Sequence, residues 1–97
     1  MVRHIFIGTF KDSISEELRN KELANLRAIK EKISGVLELH ADFTTGWFGV
    51  KGQIVMTVDL ASGDDFAKYL VHPYHADYLV SQGKEFFADY CAAQFEF

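Results

Sequence analysis

The chain has one cysteine, one proline, no long apolar run and no basic cluster. A lone Cys91 excludes an internal disulfide, and a reducing compartment is expected. Between apolar neighbours on a strand, its thiol is expected to be buried and inert. No stretch nears the ~18–20 apolar residues of a membrane-crossing helix. The opening MVRHIFIGTF meets Lys11 and Asp12 too soon for a signal peptide and lacks a small-residue cleavage site. These features predict a soluble, cytoplasmic protein. A formal charge of −4 without a Lys/Arg patch argues against nucleic acid and anionic membranes as partners. There is no phosphate loop, dinucleotide fingerprint, linker or repeat. Nothing points to a cofactor.

What is present is one domain's worth of core. The 97 residues are 48% hydrophobic and include nine Phe, four Tyr and one Trp. That composition belongs to a folded chain, with aromatics to spare for a partner or a pocket. Residues 2–10 alternate as a strand, with His4, Phe6, Gly8 and Phe10 on one side and Ile5, Ile7 and Thr9 on the other. Both sides are largely apolar, so both faces call for cover. Ser13 and Glu16 have capping-box spacing. Leu18, Leu23, Leu26, Ile29 and Ile33 then share an arc of about 140°, which predicts a helix over 14–33. Arg19, Glu22, Lys30 and Glu31 are assigned to its solvated side.

Residues 36–43 and 53–60 alternate as two further strands, joined by the glycine-rich TTGWFGVKG. Ser62 and Asp65 cap a short helix over 63–71. Pro73 ends it and opens a second helical segment over roughly 74–88. CAAQFEF closes the chain as a fourth strand. The order βαββαβ predicts an α+β, ferredoxin-like fold over residues 1–97, a four-stranded antiparallel sheet with helices on one face. Its bare second face predicts a homodimer with the two sheets face to face.

Two segments carry a family resemblance: RHIFIGTFKDSIS, with His4 in the first strand, and YLVHPYHADYL, with Tyr-x-x-His-Pro-x-His. With the element order, they make the chain similar to the stress-responsive dimeric α/β-barrel family. That likeness implies a homodimer whose sheets close into a barrel. One plant member closes a linear tetraketide acid by aldol condensation. By resemblance, its catalytic tyrosine and histidine match Tyr69 and His75, and a pocket histidine matches His4. The chain departs from that member in three places. Gln53 stands where it has a further histidine. Gly8 replaces a larger apolar residue. The Gly46–Gly52 connection is shorter and carries Trp47 and Phe48.

Such cyclisation needs a base beside a carbonyl and a donor for the developing oxyanion, roles suited to imidazole and a phenol. The candidates are therefore His75 and Tyr69 as catalytic residues, with His4, Phe6, Gln53, Val55 and His72 as substrate contacts. His72, before Pro73, is read first as the cap of a helix corner. His72 and His75 are also spaced as two metal ligands would be, though Pro73 disturbs that geometry. Trp47 and Phe48 suit a lid or a dimer contact. Three readings stand: a small-molecule enzyme or binding protein, a dimeric-barrel monooxygenase, and a non-catalytic stress dimer. An open cavity lined by His75, Tyr69 and His4 favours the first. A filled interior with those polar tips bonded to backbone favours the last.

Overall fold

The computed structural model describes residues 1–97. Strand β1 (Val2–Phe10) pairs antiparallel with β3 (Lys51–Leu60) on one side and β4 (Phe87–Glu96) on the other. Strand β2 (Val36–Thr45) completes the sheet beyond β3, giving the order β2-β3-β1-β4. This is the ferredoxin-like α+β fold that the element order predicts.

The register defines two faces. Rows Val58–His4–Gln94, Met56–Phe6–Ala92 and Ile54–Gly8–Tyr90 lie on one side. Helices α1 (Glu16–Arg27), α2 (Ile29–Lys32), α3 (Gly63–Val71) and α4 (Val80–Phe86) cover that side. They bury Ile54, Met56, Val58 and Leu60 against Leu23, Leu26, Ile29 and Ile33. Burial of such side chains supplies about 1.5–3 kcal/mol each before conformational entropy is charged against it.

The other face carries the rows Val55–Ile7–Cys91, Thr57–Ile5–Ala93 and Asp59–Arg3–Phe95. It has no second layer. Cys91 is therefore exposed rather than buried. Arg3 clamps Asp59 through two bonds of 2.7 and 2.8 Å, which hold the β1–β3 register and draw the Asp59 carboxyl below its usual range.

Local chemistry moves several boundaries. Ser15, not Ser13, caps α1, its hydroxyl accepting from the Leu18 amide. The chain first turns so that Ile14 packs on the core. The single helix expected over 14–33 becomes α1 and α2, parted at Ala28. The backbone bonds continue through that point, from Ala28 N–H to the Ala24 carbonyl and from Lys32 N–H to the Ala28 carbonyl, both 3.0 Å. Leu37 is an extra residue where β2 meets β3, so Val36 shares the covered face with Leu39 and Ala41. Strand β4 begins at Phe87, where the sequence continues a helical pattern, because Phe87 pairs with Phe10 and packs against its ring at a tilt. No helix is long and apolar enough to cross a membrane.

Candidate functional site

Between the covered sheet face and helices α1, α3 and α4 lies a cavity of about 630 Å³, within the size range of small-molecule sites. Strand β1 contributes His4 and Phe6, two residues apart and so on the same face. Helix α3 contributes Tyr69, the largest fully buried side chain of the chain.

His75 arrives through the corner that starts at His72. A residue before proline is held extended, and His72 has φ −61° and ψ 136°. Pro73 then opens a π-helical turn, Tyr74–Leu79, that runs into α4. Wide turns of this kind occur often at functional sites. The His72 Nδ1 accepts from the Tyr74 amide at 3.1 Å, so this ring caps its own corner and does not line the cavity. The Tyr74 hydroxyl donates to the Asn25 carbonyl at 2.7 Å, and the Tyr78 hydroxyl to the Asn25 side chain at 3.1 Å. These bonds tie the turn to α1 and set His75 on the cavity wall.

The rings of His75 and His4 lie 5.0 and 5.8 Å from that of Tyr69. The hydrogen-bond partners then assign the protons. The Leu70 carbonyl can only accept, so His75 Nδ1 at 2.9 Å donates to it and carries the proton. In neutral His75 the free lone pair is on Nε2. The Gln94 amide nitrogen can only donate, so His4 Nδ1 at 2.9 Å accepts. His4 Nε2 then bears hydrogen. Burial, with a further contribution from His75, pushes the His4 pKa down to about 4, which keeps this ring neutral. The Tyr69 hydroxyl is buried and has no hydrogen-bond partner at all. Burial also raises its pKa, so it keeps its proton.

Glu22 is the residue that sequence reasoning misplaced. Expected on the solvated side of the first helix, it is 1% exposed and lines the cavity. Burial pushes its carboxyl up to about 7, against a 3.2 Å bond from the Asn25 amide that favours the charged form. The signal was in the helical wheel. At ~100° per residue, position 22 falls midway between Leu18 and Leu26, inside the apolar arc.

The structure brings His4, Phe6, Tyr69 and His75 together. It places Gln53 and Val55 on the opposite sheet face. Gln53 donates to the Thr9 hydroxyl at 2.6 Å, and Val55 lines a separate open groove beside β2. A strand alternates, so one residue's shift reverses the face, and Met56 is the β3 residue in the cavity wall. Trp47 and Phe48 stand fully exposed at the tip of the β2–β3 hairpin and line neither space. His72 and His75 bond to different groups of the corner, and no cluster of three or more His, Cys, Asp or Glu is gathered for a metal.

The fold and the cavity define a ferredoxin-like α+β domain with a pocket between sheet and helices. The chain belongs to the stress responsive A/B barrel domain family, whose sequence profile matches residues 2–97. Comparison with curated proteins finds no match. Among solved structures, a dimeric ferredoxin-like protein of unknown function from Thermobifida fusca superposes with a TM-score of 0.86. It is 21% identical, with 99% of this chain and 90% of that one covered. A hydroxynitrile lyase from Passiflora edulis gives 0.85 at 13% identity, covering 97% and 90%. An antibiotic biosynthesis monooxygenase gives 0.75 at 14% identity, covering 100% and 98%. At these identities the likeness is one of fold.

Proposed function

We propose that the chain is a homodimeric barrel protein that binds a small organic molecule in the helix-side cavity and moves a proton on it. The observation that carries this reading is the Tyr69 hydroxyl, buried without a partner beside His75 in the cavity. An unmet buried donor costs about 1–3 kcal/mol, a cost a purely structural corner has no reason to keep. A ligand carbonyl is the natural acceptor. His75 Nε2 takes a proton from the carbon beside that carbonyl. The enolate oxygen is held by the Tyr69 O–H, with His4 Nε2–H as a second donor. The carbanion attacks a second carbonyl, whose alkoxide oxygen takes the proton back from His75, or the proton returns from His75 to carbon and the first carbonyl is regenerated. Both outcomes balance without an oxidant or reductant. The same fold carries a lyase and a monooxygenase, so the activity is read from these groups and not from the fold.

The dimer reading rests on the uncovered apolar rows around Ile5 and Ile7 and on similar structures described as dimeric. The chemistry is tested with 4-phenylbutan-2-one in D₂O, following loss of its α-proton NMR signals. Wild-type protein accelerates the exchange, and His75→Ala removes roughly 10²–10⁴-fold of that acceleration. A wild-type rate no greater than that of free imidazole at equal concentration overturns the base role.

A further inference from the structure

Glu22 has no counterpart in the chemistry above, yet it occupies the same cavity. It sits on α1 between Leu18 and Leu26, where a leucine would complete the stripe. Its one hydrogen bond comes from Asn25, and no lysine, arginine or histidine pairs with it. A buried carboxyl with so little support is costly to the fold. The other titratable groups around the cavity are His4 from β1, Tyr69 from α3, His75 from the π-helical turn, Lys84 from α4, and Asp89 and Tyr90 from β4. His4 and Tyr69 hold no charge in the folded state. Lys84 is exposed, with Asp89 lining the same cavity. The interior thus offers hydrogen-bond donors and a carboxyl but no buried fixed cation.

An anionic ligand needs such a cation, usually arginine or lysine. Here a ligand carboxylate would share the cavity with buried Glu22, and two carboxylates in one site do not both ionise. We infer that Glu22 selects the ligand by charge: the cavity takes an uncharged carbonyl compound and excludes the corresponding carboxylate. This rests on the cavity's being the ligand site. It also separates this chain from the plant member of the family that closes a tetraketide acid.

The test is a matched pair, 4-phenylbutan-2-one and 3-phenylpropanoate, which differ by a methyl against an oxygen anion. Each is titrated into the purified protein at pH 8 and followed by amide chemical shifts. With the Glu22 pKa near 7, only about one molecule in ten is protonated at pH 8, so a ligand that binds that form alone loses roughly tenfold. Wild type is expected to bind the ketone at least ~tenfold more tightly than the carboxylate. Glu22→Gln keeps the volume and the acceptor for Asn25. It is expected to tighten carboxylate binding by roughly tenfold and leave ketone binding within ~threefold. If that variant fails to fold, Glu22→Met repeats the comparison at similar volume. Equal wild-type affinity for both probes, or a carboxylate affinity that Glu22→Gln does not change, overturns charge selection alone. Binding of neither probe to wild type overturns the ligand site and this inference with it.

Discussion

Two tyrosines of the same region should respond to the same substitution with opposite signs. The Tyr69 hydroxyl is buried and unbonded, whereas the Tyr74 hydroxyl donates to the Asn25 carbonyl at 2.7 Å. Tyr69→Phe removes a donor whose lost hydration costs about 1–3 kcal/mol, and it leaves the ring packing on His75 and Phe66 in place. The gap left by the oxygen offsets part of that gain. A net stabilisation of roughly 0–2 kcal/mol is expected. Tyr74→Phe removes a made bond and should cost about 0.5–1.5 kcal/mol. For a domain of this size each kcal/mol moves Tm by about 4–8 °C.

Both variants and wild type would be melted by circular dichroism at one protein concentration, because an oligomer's Tm depends on it. Tyr69→Phe should melt at or above the wild-type temperature, and Tyr74→Phe below it. The first should also weaken binding of 4-phenylbutan-2-one, while the second leaves the Tyr69 donor in place. A stabilised variant with impaired binding marks a group kept for function against the interest of the fold. A Tyr69→Phe protein that melts more than ~5 °C below wild type would refute the reasoning, because its hydroxyl would then be bonded in solution.

Burial of two groups predicts opposing pH effects. His4 has its folded pKa lowered to about 4 from 6.5, so the unfolded chain holds the extra proton and stability rises with pH across that window. Glu22 has its folded pKa raised to about 7 from 4.5, so the folded chain holds the extra proton and stability falls as pH rises from 4.5 to 7. The two slopes largely cancel in wild type between about pH 4.5 and 6.5. Denaturant titrations should show Glu22→Gln gaining stability with pH there and His4→Phe losing it; parallel profiles for both would sink this assignment. Gly8→Val is expected to cost about 1–3 kcal/mol by overpacking, since even a Cβ there meets the Phe87 ring at 2.6 Å. An unchanged Tm would show that the Phe87 ring yields freely. Light scattering of the wild type should give twice the 11.0 kDa chain mass, and Ile7→Glu on the open face should give the monomer. A wild-type monomer at micromolar concentration would remove the dimer.

The strands were legible because alternation is local, and Ser62 was legible as a cap because its partner Asp65 lies three residues away. What the sequence hid depends on distant pairing. The start of β4 at Phe87 is set by Phe10, far away in the chain, and the helical spacing of Phe86, Phe87 and Tyr90 competes with it locally. The π-helical turn that delivers His75 is stabilised from α1, through Tyr74 and Tyr78 on Asn25, and nothing within YLVHPYHADYL announces those bonds. Gln53, placed by resemblance, and Val55 on the same strand face both point away from the cavity. His4 pairs with Val58, so only even-numbered residues of β3 from Ile54 onward share its face. Pairing logic alone would have preferred Met56.

Glu22 is the more instructive miss. Charge suggested a solvated side, while the wheel angle placed it among leucines, and the angle was right. Sequence patterns are strong where local propensity and burial agree. Where they conflict, as at a carboxyl on an apolar stripe, the fold bears a cost that needs a reason. The same holds for the Tyr69 hydroxyl and for the neutral His4. All three conflicts line one cavity, although they come from α1, α3 and β1. Three unrelated packing faults would have no cause to converge. The ligand site proposed above accounts for all three together. Between them Phe6, Leu26, Met56 and Phe66 supply the apolar part of the wall, against which the body of an organic ligand would pack.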